Sequence, residues 1–231
     1  MHIPDGFLDP RISSGLVGVA AAVLALSAVK VRAAVTALRP VEVLATTAGN
    51  LTRGAKRVLT AAGERTIYQM GMVAALVFAG QMFNFPISQG TSGHLIGGVF
   101  AAVILGPAAG ALVIAAVLAT QMLFFADGGL LAIGANVINM SLFGTIVAYY
   151  IYHYLKKTFP EWVAILVAAW AAVPMAAFVC ALELGFSGTV PFEVVIPAMI
   201  KVHMVIGLAE ALITLALVNI FRSMLKGEAG S

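Results

Sequence analysis

From about residue 12 to residue 221 the chain runs through one apolar stretch after another, separated only by short joints of glycine, proline and charge. A segment that crosses a lipid bilayer needs roughly 20 apolar residues. Seven stretches are candidates: about 12–30, 67–84, 94–105, 108–126, 136–155, 161–185 and 195–221. The composition agrees, with 61% hydrophobic and 10% charged residues, against about 45–50% and about 25% in a soluble domain. A water-soluble enzyme, a nucleic-acid binder and a disordered tail are excluded together. The expectation is an all-α, polytopic membrane protein, one domain over 1–231 with about seven transmembrane helices. Its single cysteine, Cys180, rules out an intrachain disulfide.

The third stretch is only about a dozen residues, too short to cross without tilt or a re-entrant entry. Charge placement decides whether it counts. With seven spans, Lys30, Arg32, Arg39, Arg53, Lys56, Arg57, Arg65, Lys156, Lys157, Arg222 and Lys226 share one side, eleven of the 13 basic residues. Only Arg11 and Lys201 fall on the other. Merging 94–126 into one crossing would split the basic set. Positive charge collects on the cytoplasmic side, so the expected arrangement is N-terminus outside and C-terminus inside, in the plasma or inner membrane. The opening Met1-His2-Ile3-Pro4-Asp5-Gly6 is acidic where a secretory leader is basic, so it is expected to stay in the mature chain. Residues 31–65 form a long basic cytoplasmic connector. Within it Val41, Leu44, Ala45, Ala48 and Leu51 recur at helical spacing, suggesting a helix along the inner membrane surface, with a solvated loop as the alternative.

The four histidines are His2, His94, His153 and His203. On this topology His2, His94 and His203 converge at the outer face, whereas His153 beside Lys156 is interfacial. Methionine aminopeptidase needs a small second residue, so His2 should leave Met1 in place with a free amine. That amine and the His2 backbone nitrogen close a five-membered ring on a metal; the backbone nitrogen and His2 Nδ1 close a six-membered one. These are three nitrogens in one plane, and His94, after the slim Gly90-Thr91-Ser92-Gly93 turn, is the natural fourth. Square-planar nitrogen sites suit Ni(II) or Cu(II). Binding should release protons and weaken as pH falls.

These segments resemble the substrate-binding membrane components of energy-coupling-factor nickel and cobalt transporters (CbiM/NikM type). The likeness is carried by Met1-His2-Ile3-Pro4-Asp5-Gly6-Phe7-Leu8, by Phe83-Asn84-Phe85-Pro86-Ile87 leading to Gly90–His94, and by Phe124-Phe125-Ala126-Asp127-Gly128-Gly129. Gly134-Ala135-Asn136-Val137, Asn139-Met140 and the stretch from His203 to Glu210-Ala211 extend it. It covers nearly the whole chain except 31–65. The resemblance implies metal held by Met1, His2 and His94, with Ni(II) or Co(II) as transported substrate and no cofactor of the chain's own. It implies a capture subunit without ATPase activity. Its partners would be a membrane coupling (T) subunit, two ATPase subunits and a small accessory membrane subunit. Pro4-Asp5 and the turn before His94 bring it nearer the nickel branch.

Among the remaining polar residues, Glu210 follows His203 by two helical turns and shares its face. The pair is either a structural hydrogen-bonding set or a second layer and cation path. Asn136, Asn139 and Met140 share a face as interhelical glue or as support for the His94 region. Asp127 either fixes its Gly-rich turn or draws cations. The small-residue strips Gly18-x-x-x-Ala22 and Ala21-x-x-x-Ala25 suit close approach of another helix, from the coupling subunit or from this chain. The alternatives are a vitamin-binding component of the same transporter class and an intramembrane metal-dependent enzyme, with Glu210 as the one plausible base.

Overall fold

The computed structural model describes residues 2–44, 51–82, 85–87 and 91–229. Among them seven helices form: α1 Pro10–Val35, α2 Ala61–Gln81, α3 Gly98–Leu105, α4 Pro107–Phe125, α5 Ile133–Leu155, α6 Glu161–Phe186 and α7 Phe192–Ala229. Two antiparallel ribbons complete it: β1 Thr36–Leu44 with β2 Leu51–Leu59, and β3 Phe85–Ile87 with β4 Thr91–Gly93. Helices α1, α4, α5, α6 and α7 are each long and apolar enough to cross a membrane, and the chain is a multi-pass membrane protein. The centre is α3 through α6, where alanine, glycine and valine let backbones approach. The apolar window of α5 is 61% buried, that of α1 only 17%, so α1 stands at the periphery.

Glycines set the closest crossings. A Cβ on Gly98 would strike the Gly144 carbonyl oxygen of α5, one on Gly134 would strike the Val17 backbone of α1, and one on Gly110 would lie 2.9 Å from the Ala102 nitrogen. The last contact shows that α3 and α4 fold back on each other. Gly106, at φ 84°, reverses the chain and Pro107 opens α4. Inside α5, residues Ile138–Val147 are wound as a π-helix. Within it the Thr145 hydroxyl donates to the Met140 carbonyl five residues back (2.7 Å), and Ser141 donates to Ala111 of α4 (3.0 Å).

Two expectations are corrected. The third stretch is helical only from Gly98, and its eight residues are about 12 Å long beside the roughly 28 Å of α4. The difference is about 16 Å, and the residues ahead of the helix, His94–Gly97, are non-helical. In the connector Val41 and Leu44 lie in β1 and Leu51 in β2, so these residues pair as strands and not as a helix; Ala45 and Ala48 lie outside the described residues. Val35, Thr36, Val41, Val43, Thr52 and Val58 are β-branched, and strand propensity outweighs the helical spacing of the apolar residues.

The contacts also fix which joints share an end. Residues 2–9, 94–97, 126–132 and 187–191 meet one another, through the Gly129 amide on the Ile3 carbonyl (2.9 Å) and the Thr189 hydroxyl on the Phe7 carbonyl (2.5 Å). At the opposite end Arg222 makes a bidentate pair with Glu161 (both 3.0 Å), which also accepts from the Tyr152 hydroxyl (2.6 Å). The eleven basic residues named above belong to this second end. Replacing Gly98 by Ala overpacks the α3–α5 crossing and should lower stability by about 1–3 kcal/mol. Gly15→Ala, where the added methyl meets open space, should be neutral. Thermal unfolding in detergent compares them; equal midpoints would contradict the close crossing.

Candidate metal centre

The first end holds a pocket built from two stretches that are neither helix nor sheet. Residues 2–9 enter the bundle and are tied down along their length. Ile3, 1% exposed, donates its N–H to Asn136 Oδ1 (2.8 Å) and accepts from Asn136 Nδ2 (3.2 Å). Asp5 accepts the backbone N–H groups of Leu130 (3.1 Å) and Leu131 (2.8 Å). Asp9 then caps α1, accepting from Arg11 N (2.8 Å). Gly128, at φ 97°, and Gly129 have no Cβ to collide with Asn136 and Asp5, so the 126–132 turn can close over the segment.

The second stretch is His94–Gly97. Non-helical backbone is tolerated at membrane depth only where protein satisfies it, and here it does. Glu210 of α7 accepts from Ile96 N (2.9 Å) and Gly97 N (2.8 Å), while Gln81 of α2 donates to the Ile96 carbonyl (2.7 Å). Gly97 adopts φ 71°, directing the chain into α3.

The two stretches deliver His2 and His94 to one place. Their rings stack with centroids 4.5 Å apart and an interplanar angle of 18°, and both residues are buried. The Nδ1 of His94 sits 2.7 Å from the Leu95 carbonyl, which assigns it as the N–H and leaves Nε2 as the lone-pair nitrogen, buried and without a partner. His2 Nδ1 lies 3.1 Å from Asp127 Oδ1 but off the line of a hydrogen bond, and neither ring nitrogen of His2 has a hydrogen-bond partner. Burial pushes the His2 imidazole below its ordinary 6.5, against the upward pull of Asp127; burial pushes His94 well below it. The imidazole contact in turn holds the Asp127 carboxyl below its usual range. Both rings are therefore neutral at pH 7, which is the state that binds a metal.

Met1 lies outside the described residues. Among the described residues no three His, Cys, Asp or Glu side chains converge closely enough to hold a metal. Of the other sequence candidates, Asn136 holds the His2 segment and Glu210 holds the His94 segment. His203 points Nδ1 at the Met199 carbonyl (2.7 Å) and keeps a buried, unpartnered Nε2. Asn139 does not face the histidines through a bond. Its amide donates to Glu183 Oε2 of α6 (2.7 Å). Sequence reasoning passed over Glu183, Gln81 and Gln121, the last with its amide fully buried and no hydrogen-bond partner. The available signal was the rarity of such side chains within apolar runs.

The family model described as "cobalt uptake substrate-specific transmembrane region" matches residues 2–226. A protein of Archaeoglobus fulgidus, provisionally named a fused nickel transport protein (NikMN), is 36% identical over 221 residues; the match covers 95% of this chain and 64% of that protein. A crystal structure of a truncated transition metal transporter superposes with a TM-score of 0.79 at 29% identity, covering 97% of this chain and 99% of the other. A biotin S component of an ECF-type transporter, at 19% identity and a TM-score of 0.53, shares the fold over 72% of this chain. The chain belongs to the family of cobalt-uptake substrate-specific transmembrane regions, the CbiM type that its opening residues resemble.

Proposed function

We propose that this chain captures a divalent transition-metal ion, Ni(II) in the first instance, at the end where His2 meets His94, as the binding subunit of an ATP-driven importer. The observation that carries the reading is the buried His2–His94 pair, each ring neutral and each with one lone-pair nitrogen. The proposed donors are the Met1 amine, the His2 main-chain nitrogen, His2 Nδ1 and His94 Nε2. Four nitrogens in a plane favour Ni(II) over Co(II), and Co(II) is the second reading because the family description names cobalt uptake. On binding, His2 Nδ1 leaves Asp127, whose carboxylate remains beside the site to offset the cation's charge. Glu210 acts through His94: its two oxygens already accept two backbone N–H groups, which also argues against it as the base of an intramembrane enzyme.

Energy comes from outside the chain. ATP hydrolysis belongs to two separate ATPase subunits, joined through a membrane coupling subunit and accompanied by a small accessory membrane subunit. The end carrying the eleven basic residues is the cytoplasmic one, so the histidine end faces outward and metal is released inward when the subunit tilts.

Calorimetric titration of Ni(II) into protein with a native N-terminus should show one tight site. An added N-terminal residue, or His94→Ala, should weaken it by more than about a hundredfold, beyond the effect of losing an outer partner. Undiminished affinity in the extended protein would remove the amine from the donor set. Glu210→Ala frees the His94 segment and should weaken Ni(II) binding by about 10–100-fold; affinity unchanged in that variant would show that the segment holds itself. The pH dependence has a definite sign. Because burial lowers both imidazole pKa values, the unfolded chain binds more protons than the folded one below about 6.5. The metal-free protein should therefore lose thermal stability as pH falls from 7 toward 5, and His94→Gln should lose less. A flat profile in both would contradict the buried neutral pair.

A further inference from the structure

The geometry points to a binding site for an anionic phospholipid at the basic end of α1, where Arg32 and Arg57 receive the lipid phosphate. Helix α1 supplies its own ruler. Its first charge is Arg11 and its next is Lys30, and the 18 uncharged residues between them span about 27 Å, close to the thickness of the hydrocarbon core. Arg32 therefore sits at headgroup level. The β1–β2 hairpin brings Arg57 back to the same level, and the two arginines flank a cavity of about 210 Å³ floored by Val29 and Ala33. Arg57 Nη1 donates to Thr36 Oγ1 (3.3 Å), and that hydroxyl donates to the Arg32 carbonyl (2.7 Å). The hairpin arginine is thus anchored by one donor and keeps the others.

Among the described residues no carboxylate pairs with either guanidinium; the one Arg–carboxylate pair is Arg222 with Glu161, on α7 and α6. Two guanidinium groups around one cavity, neither paired with a carboxylate among the described residues, match a phosphate, which each engages through paired N–H donors. Basic pockets at the cytoplasmic ends of membrane helices recognise lipid headgroups in this way. What selects a lipid over a soluble anion lies below the cavity. Leu26 and Val29, each 66% exposed, continue from it down the bare face of α1, giving an acyl chain a surface that a free phosphate cannot use.

The proposal does not depend on the metal reading. Its test is native mass spectrometry of the full chain released from detergent mixed with phosphatidylglycerol or with phosphatidylcholine of the same chain length. Wild-type protein should retain phosphatidylglycerol preferentially. Arg32→Gln and Arg57→Gln should each reduce that preference about fivefold, and the double variant should abolish it. Lys201→Gln, at the opposite end, should leave it intact. Both arginines are exposed, and an unchanged unfolding midpoint confirms that the variants fold. Equal retention of the two lipids by wild type would overturn the lipid assignment and turn attention to a carboxylate from a partner protein. Equal preference in wild type and double variant would overturn the site, and displacement of the lipid by millimolar inorganic phosphate would make it a soluble-anion site instead.

Discussion

Backbone that is not helical has to be hydrogen-bonded by protein when it lies inside a membrane bundle, because the surrounding hydrocarbon offers no partners. The histidine end of this protein is organised around that constraint. Asn136 meets both polar groups of Ile3, while Glu210 and Gln81 meet those of Ile96 and Gly97. Two irregular segments that would otherwise be unstable at that depth are held in place, and each presents one histidine. The arrangement costs three polar side chains buried in helices that are otherwise apolar, and it holds the His2 and His94 rings against each other.

The same constraint explains the shape of α3. A helix crossing the whole membrane at that position would satisfy its own backbone and leave no room for His94 beside His2. Starting the helix at Gly98 instead, with Gly98 against the Gly144 carbonyl and Gly97 in the left-handed region, leaves the non-helical residues His94–Gly97 to place His94 beside His2. Proton competition is held down by the burial that encloses the pocket. The pull of Asp127 on His2 works the other way and keeps a negative charge at hand for the incoming cation.

Much of this was legible in the residues. Long apolar runs mark the helices, the basic residues mark the shared end of 31–65, 156–157 and 222–226, and the expected convergence of His2 with His94 at the other end is what the structure has. Where the reading failed, two local rules conflicted or a partner was remote. The 31–65 connector has apolar residues at helical spacing but a β-branched content that forms strands. The α3 boundary at Gly98 depends on acceptors from α7 and a donor from α2, which no local pattern reveals. Asn139, read as a residue that binds helices together, does so: in the π-helical stretch of α5 its amide donates to Glu183 of α6. Asp5 enters the sequence reading only as part of the opening motif; that it accepts the 130–131 amides depends on a turn 125 residues away.

X-ray absorption at the nickel edge of the loaded protein, with its native N-terminus, addresses the account most directly. Four nitrogen neighbours in a square plane, two of them imidazoles, are what His2 and His94 with the two main-chain nitrogens require. A six-coordinate oxygen-rich shell, or scattering from a single imidazole, would contradict the proposal that the pinned segments bring both histidines onto one metal.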